Sequence, residues 1–157
     1  MSKKIGFIGA GNMGGCLIQA AIKAVSPDNI CIFDTDSNKC KHYTDTCGVS
    51  SVSLEEVINS QIVVIGVKPQ GYKALIDSVK DKICQRDDDF AVVSMAAGIT
   101  IDSVCKMFGK DIPVIRIMPN MACNTEEGVM VYDISENLSE KSLKTFCEAF
   151  EYVGLTK

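Results

Sequence analysis

Six apolar runs of strand length, "KIGFIG", "NICIFD", "QIVVIGV", "FAVVSM", "PVIRIM" and "GVMVYD", recur along this chain, with helix-like segments between most of them. No other feature constrains the fold as tightly. Most of the runs are continuous rather than alternating, which is the pattern of strands covered on both faces. Strand and helix in alternation predict an α/β fold: a doubly wound, mostly parallel sheet with right-handed crossovers and helices on both faces. The intervening segments carry matching punctuation. "GNMGGCLIQAAIKAV" stops before Ser26-Pro27, and "DSNKCKHYTDTCG" is closed by Gly48. "SLEEVINS" has capping-box spacing from Ser53 to Glu56. "GYKALIDSVKDKI" and "TIDSVCKMFGK" follow. "LSEKSLKTFCEAFEYVG" sets Leu143, Phe146, Cys147 and Phe150 on one helical stripe and stops at Gly154. Residues 1–154 read as one domain, and "LTK", residues 155–157, as the start of a further strand.

Composition narrows the partners. A chain of 157 residues buries roughly 70% of its unfolded surface, enough for one core. The net charge is −4 and no run of Lys or Arg follows a phosphate backbone, which argues against nucleic acid. No apolar stretch approaches the ~20 residues that span a bilayer. The start, "MSKKIGFIGAG", is basic and then apolar, but glycines interrupt it and no small-residue cleavage pattern follows, so it reads as a first strand in a cytoplasmic protein. Eight cysteines are scattered with no CxxC pair and a single histidine, His42, so no metal site is expected. They read as small apolar residues in a reduced compartment.

The first strand runs into "GAGNMGG". Gly9, Gly11 and Gly14 satisfy G-x-G-x-x-G directly after a strand and at the start of a helix, the context that makes the pattern informative. Gly9 permits the tight turn, Gly11 lets the backbone approach a pyrophosphate, and Gly14 allows close helix–strand packing. The helix start adds unpaired N–H groups and a partial positive charge of about half a unit. The second strand ends at Asp34, whose carboxylate is placed to accept hydrogen bonds from ribose hydroxyls and to repel a 2′-phosphate. Two unit charges ~4 Å apart interact by about 4 kcal/mol at an effective dielectric near 20, so even half of that favours NADH over NADPH more than tenfold. In the competing arrangement Asp34 turns aside and Thr35, Ser37 and Lys39 hold the phosphate.

In open α/β sheets ligands sit outside the carboxyl ends of the strands. Three segments reach such ends: "VKPQ" with Lys68 beside Pro69, "SMAAGIT" with Met95, Ala96, Ala97 and Gly98, and "MPNMAC" with Asn120. A flat aromatic ring held against the tips needs walls without bulk, and the alanines and glycine supply one. Hydride transfer asks the protein mainly for position and for exclusion of competing reactions.

In order and approximate spacing, "IGFIGAGNMG", "VKPQ", "SMAAGIT" and "VIRIMPN" resemble pyrroline-5-carboxylate reductase, from Lys4 to about Gly154. The resemblance implies a Rossmann NAD(P)-binding fold and reduction of 1-pyrroline-5-carboxylate to L-proline, the last step of proline biosynthesis, with NADH or NADPH. It implies that Ile8, Gly9, Ala10, Gly11, Asn12, Met13 and Gly14 hold the pyrophosphate, while Asp34 and Asp36 face the adenosine ribose. Val67, Lys68, Pro69, Met95, Ala96 and Ala97 then line the cofactor cleft, with Asn120 near nicotinamide and substrate. Lys68 is the one cleft cation nominated for catalysis, either orienting the substrate carboxylate or supporting protonation of the imine nitrogen; its alternative role is cofactor contact alone.

Three departures stand out. Ser53 occupies a position near the adenosine that the family often fills with asparagine. The family's PN-x-P reads Pro119-Asn120-Met121-Ala122. Family members also continue into a helical domain that forms homo-oligomers and carries a Ser/Gly-rich, substrate-binding segment, and no such segment occurs in these 157 residues. The chain therefore reads as a cofactor-binding domain that binds NAD(P)H and turns over little or no substrate alone, with Tyr152, Val153 and Leu155 in an apolar patch at the junction. The alternatives are a non-catalytic NAD(P)-binding module and a related dehydrogenase acting on another imine or oxo acid. Arg116, inside "VIRIM", has three open readings: a strand edge, a carboxylate partner, or the cleft.

Overall fold

The computed structural model describes residues 4–96, 98–120 and 129–156, with the side chains of Asn12, Pro119, Asn120, Val129 and 154–156 outside that description. An eight-stranded sheet has the order β3-β2-β1-β4-β5-β6-β7-β8. Its strands are β1 (Ile5–Ile8), β2 (Ile30–Phe33), β3 (Ser50–Ser51), β4 (Ile62–Ile65), β5 (Ala91–Ser94), β6 (Val114–Asn120), β7 (Val129–Ile134) and β8 (Gly154–Thr156). All neighbours pair in parallel except β6 and β7. The order turns back at β1, which is flanked by β2 on one side and β4 on the other. A crevice forms at such a switch point, outside the carboxyl ends of the strands.

The helices are α1 (Asn12–Ala21), α2 (Ser37–Cys47), α3 (Leu54–Val57), α4 (Tyr72–Cys84), α5 (Ile101–Phe108) and α6 (Glu140–Ala149). Local chemistry sets their ends. Asp36, Ser53, Thr100 and Ser139 each accept a backbone N–H in the first turn of α2, α3, α5 and α6, the N-cap role of short oxygen-bearing side chains. Gly48 (φ 77°) and Gly109 (φ 73°) close α2 and α5 in the left-handed conformation that a Cβ disfavours.

Two apolar layers sandwich the sheet. On one face Leu17 and Ile18 of α1 and Phe146 and Phe150 at α6 pack on Ile5, Phe7, Ile115, Ile117 and Met130. On the other, Tyr72, Ile76 and Val79 of α4 and Val104 and Phe108 of α5 pack on Ile8, Val63, Ile65, Val92 and Val114. The stripe expected on α6 is there: Phe146 and Phe150 are fully buried, with Leu143 and Cys147 half-buried against them.

Three elements differ from the sequence expectation. α1 ends at Ala21 rather than running to Val25, and α6 ends at Ala149 rather than Gly154. β3, two serines beside β2, carries no apolar signal at all. Cys16, buried on α1, is disulfide-bonded, a departure from the expected set of reduced thiols. Cys40, Cys84 and Cys105 retain thiols that lie 3.3–3.8 Å from the carbonyl oxygens of Asp34, Phe108 and Ile112.

Candidate functional site

Strand register builds the site. Ile8 pairs with Phe33 and with Ile65, and Ile65 pairs with Ser94. The next residues, Gly9, Asp34, Gly66 and Met95, therefore form a row at the carboxyl edge of four adjacent strands. Ser53 joins the row from β3, since Ser51 pairs with Ile32.

The glycine turn is held from both sides. Gly9 has φ 98° and donates its N–H to the Phe33 carbonyl at 2.8 Å. A Cβ on Gly9 would lie 2.9 Å from the Gly66 carbonyl carbon, and one on Gly14 would lie 2.5 Å from the Gly9 oxygen. Both distances are too short for a side chain, so packing within the protein demands glycine at 9 and 14. Gly11 is different. Its φ is −74°, which any residue adopts, and a Cβ there would meet nothing within 4 Å. The fold leaves position 11 open to a ligand's approach.

α1 also begins without a side-chain cap and without an acidic residue in its first turn, whereas α2, α3, α5 and α6 are all capped by side chains. Uncapped N–H groups, a partial positive charge and a glycine with room beside it together fit a diphosphate. That is the observation on which a dinucleotide fits these residues.

Asp34 does more than end β2. Its Oδ2 accepts the Ala10 N–H at 2.7 Å and its Oδ1 accepts the Asp36 N–H at 2.8 Å. One carboxylate thus ties the glycine turn to the loop after β2. Each oxygen keeps a lone pair for a further donor, since an ionised carboxyl offers about four acceptor sites. Asp36 is exposed and caps α2 through Asn38 N–H at 3.0 Å, and Ser53 is exposed and caps α3 through Glu56 N–H at 3.2 Å. A cavity of about 360 Å³ opens beside this end of β2, lined by Asp34, Ser37, Lys41, Thr44 and Ser51 among others.

The remaining expected residues fall as follows. Ile8 and Ala10 are buried and Met13 is half-buried. Asn12 opens α1. Val67 is half-buried, with its N–H 3.2 Å from where a Gly9 Cβ would stand. Lys68 and Pro69 are exposed at the turn after β4, and Lys68 makes no ion pair among the described residues. Met95 is half-buried and Ala96 buried at the end of β5. Asn120 ends β6, paired through its backbone with Val129. Ala97 and the side chains of Asn12 and Asn120 lie outside the described residues.

Sequence reasoning missed Tyr72. Its ring is fully buried, and its hydroxyl donates to the Ile65 carbonyl at 3.1 Å, which leaves Ser94 Oγ, also at 3.1 Å, and Met95 N–H, at 3.2 Å, to donate to it. One phenol thereby ties the tips of β4 and β5 together beneath the row. Burial pushes its pKa above 10.0, with the Ser94 hydrogen bond opposing. The available signal was a tyrosine opening an amphipathic helix two residues after "KPQ", one turn from the strand tips.

Comparison with known proteins agrees with this geometry. Residues 4–98 match the family described as "NADP oxidoreductase coenzyme F420-dependent". Pyrroline-5-carboxylate reductase of Methanosarcina acetivorans is 32% identical over 157 residues, covering 98% of this chain and 57% of that protein. A pyrroline-5-carboxylate reductase structure from Coxiella burnetii superposes with TM-score 0.87 at 25% identity, covering 99% of this chain and 58% of the other. The Plasmodium falciparum pyrroline carboxylate reductase with NADP bound shares the fold, with TM-score 0.81 at 22% identity over 99% of this chain and 58% of the other. The chain spans about half the length of these relatives. No helix among the described residues is long and apolar enough to cross a membrane. With a matched model over more than half its length, the chain belongs to the NADP oxidoreductase, coenzyme F420-dependent, family, and the relatives it resembles along its whole length are pyrroline-5-carboxylate reductases.

Proposed function

We propose that this chain holds NAD(P)H for a pyrroline-5-carboxylate reductase. The observation that carries the reading is Gly11: a glycine that neither backbone conformation nor protein packing requires, at an uncapped helix start. Gly9, Ala10, Gly11, Asn12, Met13 and Gly14 hold the pyrophosphate through backbone N–H groups. Asp34, fixed by two backbone hydrogen bonds, accepts from the adenosine ribose, with Asp36 and Ser53 beside it. Val67, Lys68, Pro69, Met95, Ala96 and Ala97 wall the nicotinamide end, and Asn120 anchors it. When bound, the reduced nicotinamide supplies a hydride to the carbon of the C=N bond of 1-pyrroline-5-carboxylate, the ring nitrogen gains a proton, and L-proline and oxidised coenzyme result. Lys68, exposed and unpaired among the described residues, orients the substrate carboxylate or supports that protonation.

Asp34 favours NADH by repulsion of a 2′-phosphate. The NADPH alternative has its own support, the cavity in which Ser37 and Lys41 stand near Asp34. Separate titrations decide between them. NADH is expected to bind at least about tenfold more tightly than NADPH, and Asp34→Ser to abolish the difference while weakening both. A wild-type preference for NADPH would assign the cavity to the phosphate instead. Coenzyme oxidation dependent on 1-pyrroline-5-carboxylate, compared with other cyclic imines and oxo acids, tests the substrate. The 157 residues, which span about half the length of the reductases they match, are expected to turn over slowly, because positioning and exclusion of water carry much of such a rate.

A further inference from the structure

A carboxylate stands close to where the glycine turn asks for a diphosphate. Asp34 Oδ2 lies 2.7 Å from the Ala10 nitrogen, one residue before the open position at Gly11. Like charges at such spacing repel, so taken alone the carboxylate weakens the binding of any phosphate at the turn. Contact with the ribose hydroxyls offsets that repulsion through one half of the coenzyme only. The backbone bonds of Asp34 supply a second reason for its presence.

Residue 34 is held at three atoms. Oδ2 accepts the Ala10 N–H, Oδ1 accepts the Asp36 N–H at 2.8 Å, and the main-chain carbonyl receives the buried Cys40 thiol at 3.8 Å. Asp36 in turn caps α2 through the Asn38 N–H. The carboxylate therefore joins two loops, the turn between β1 and α1 and the segment between β2 and α2. Strand register brings these loops together, because Ile8 pairs with Phe33. Among the described residues, Asp34 is the one side chain bonded to the backbone of residues 9–11. α1, which starts there, has no side-chain cap of its own.

The geometry calls for a carboxylate in particular. Both side-chain partners are N–H donors, and an ionised carboxyl presents an acceptor to each. An asparagine of the same shape has one acceptor oxygen, and its NH2 would face the other donor. Serine offers a single oxygen on a shorter side chain. Hydrogen bonds to a charged acceptor are also roughly twice as strong as neutral ones, which suits a residue that must hold two loops at once.

We propose that Asp34 is a positioning residue for the pyrophosphate turn, in addition to meeting the ribose. Its two backbone bonds set the turn and the start of α2 in their binding geometry before coenzyme arrives. They strengthen binding of the diphosphate half, which the carboxylate does not touch. The fold orders the turn in advance, so binding does not bear that loss of entropy. The proposal rests on the reading of this edge as the coenzyme site.

The test separates the two roles by sign. Asp34→Ala and Asp34→Asn are titrated with NADH and with an NADH analogue whose adenosine ribose lacks both hydroxyls. If Asp34 only met the ribose, both variants would bind the analogue as tightly as the wild type or more tightly, since a like charge has gone. That result would overturn the proposal. The expected result is the opposite, a dissociation constant for the analogue raised at least about fivefold in both variants. Amide exchange of the ligand-free proteins reads the turn directly. Asp34→Ala should speed exchange at Ala10 and Asp36 by at least about tenfold while the amides of β1 stay unchanged, and Asp34→Asn should speed only one of the two. Unchanged exchange at Ala10 would overturn the proposal. So would faster exchange spread through β1 and β2, the mark of a merely structural role. Wild-type protein that binds neither NADH nor NADPH would instead contradict the coenzyme reading, while the exchange comparison, made without ligand, still decides whether Asp34 holds the turn.

Discussion

Gly9 and Gly11 sit two residues apart in one turn, and their glycines answer to different partners. At Gly9 the backbone lies at φ 98° and the Gly66 carbonyl stands 2.9 Å from a hypothetical Cβ. Gly9→Ala should therefore destabilise by about 1–3 kcal/mol from backbone strain alone, with the overlap adding to it, and thermal unfolding will show the loss. At Gly11 nothing in the protein objects. Gly11→Ala should cost at most ~1 kcal/mol through the N-cap preference, yet raise the dissociation constant for the coenzyme by about tenfold or more. The two variants separate a packing glycine from a ligand glycine. That distinction was not legible in the sequence, where G-x-G-x-x-G presents all three positions alike. Asp34 shows the same limit: its place at the end of β2 could be read from the chain, but its two bonds to Ala10 and Asp36 N–H groups depend on how the loops close.

Among elements, the strand–helix alternation carried most of the architecture, because continuous runs such as "IVVI" and "AVVS" fit strands covered on both faces, and helices between them supply that cover. Caps were legible too. Ser53 to Glu56 reads directly as the start of α3, and Gly48 as the end of α2. β3 was not legible, since two serines pair with β2 through backbone alone. α1 and α6 both end several residues short of the breakers that the sequence offered, Pro27 and Gly154. Tyr72 was hidden too: it belongs by sequence to α4 but acts on the tips of β4 and β5. Tyr72→Phe removes the acceptor for Ser94 Oγ and Met95 N–H, and should cost about 1–3 kcal/mol together with weaker coenzyme binding, as the row at the carboxyl edge loses its tie. Alkali gives a second readout. The folded-state pKa of Tyr72 is raised, so its contribution is fully present below pH 10.0 and is lost as the pH climbs through the folded value. Wild-type stability should fall more steeply above that pH than stability of the phenylalanine variant, as chemical denaturation at a series of pH values will report.

At the scale of the molecule, the eight described strands place a turn, a carboxylate and two loops along one edge, and the order turns back at β1, where Gly9 packs against Gly66. The family relationship and the sheet both support a nucleotide lying across that edge. The reaction and the coenzyme preference are proposals built on it. Calorimetric titration of the folded 157-residue chain with NADH and with NADPH tests the central claim most directly. Saturable one-to-one binding of at least one of them, weakened by Gly11→Ala with a fall in melting temperature of no more than about 4 °C, is the predicted result. No heat of binding with either coenzyme, from protein that still unfolds cooperatively, would contradict it.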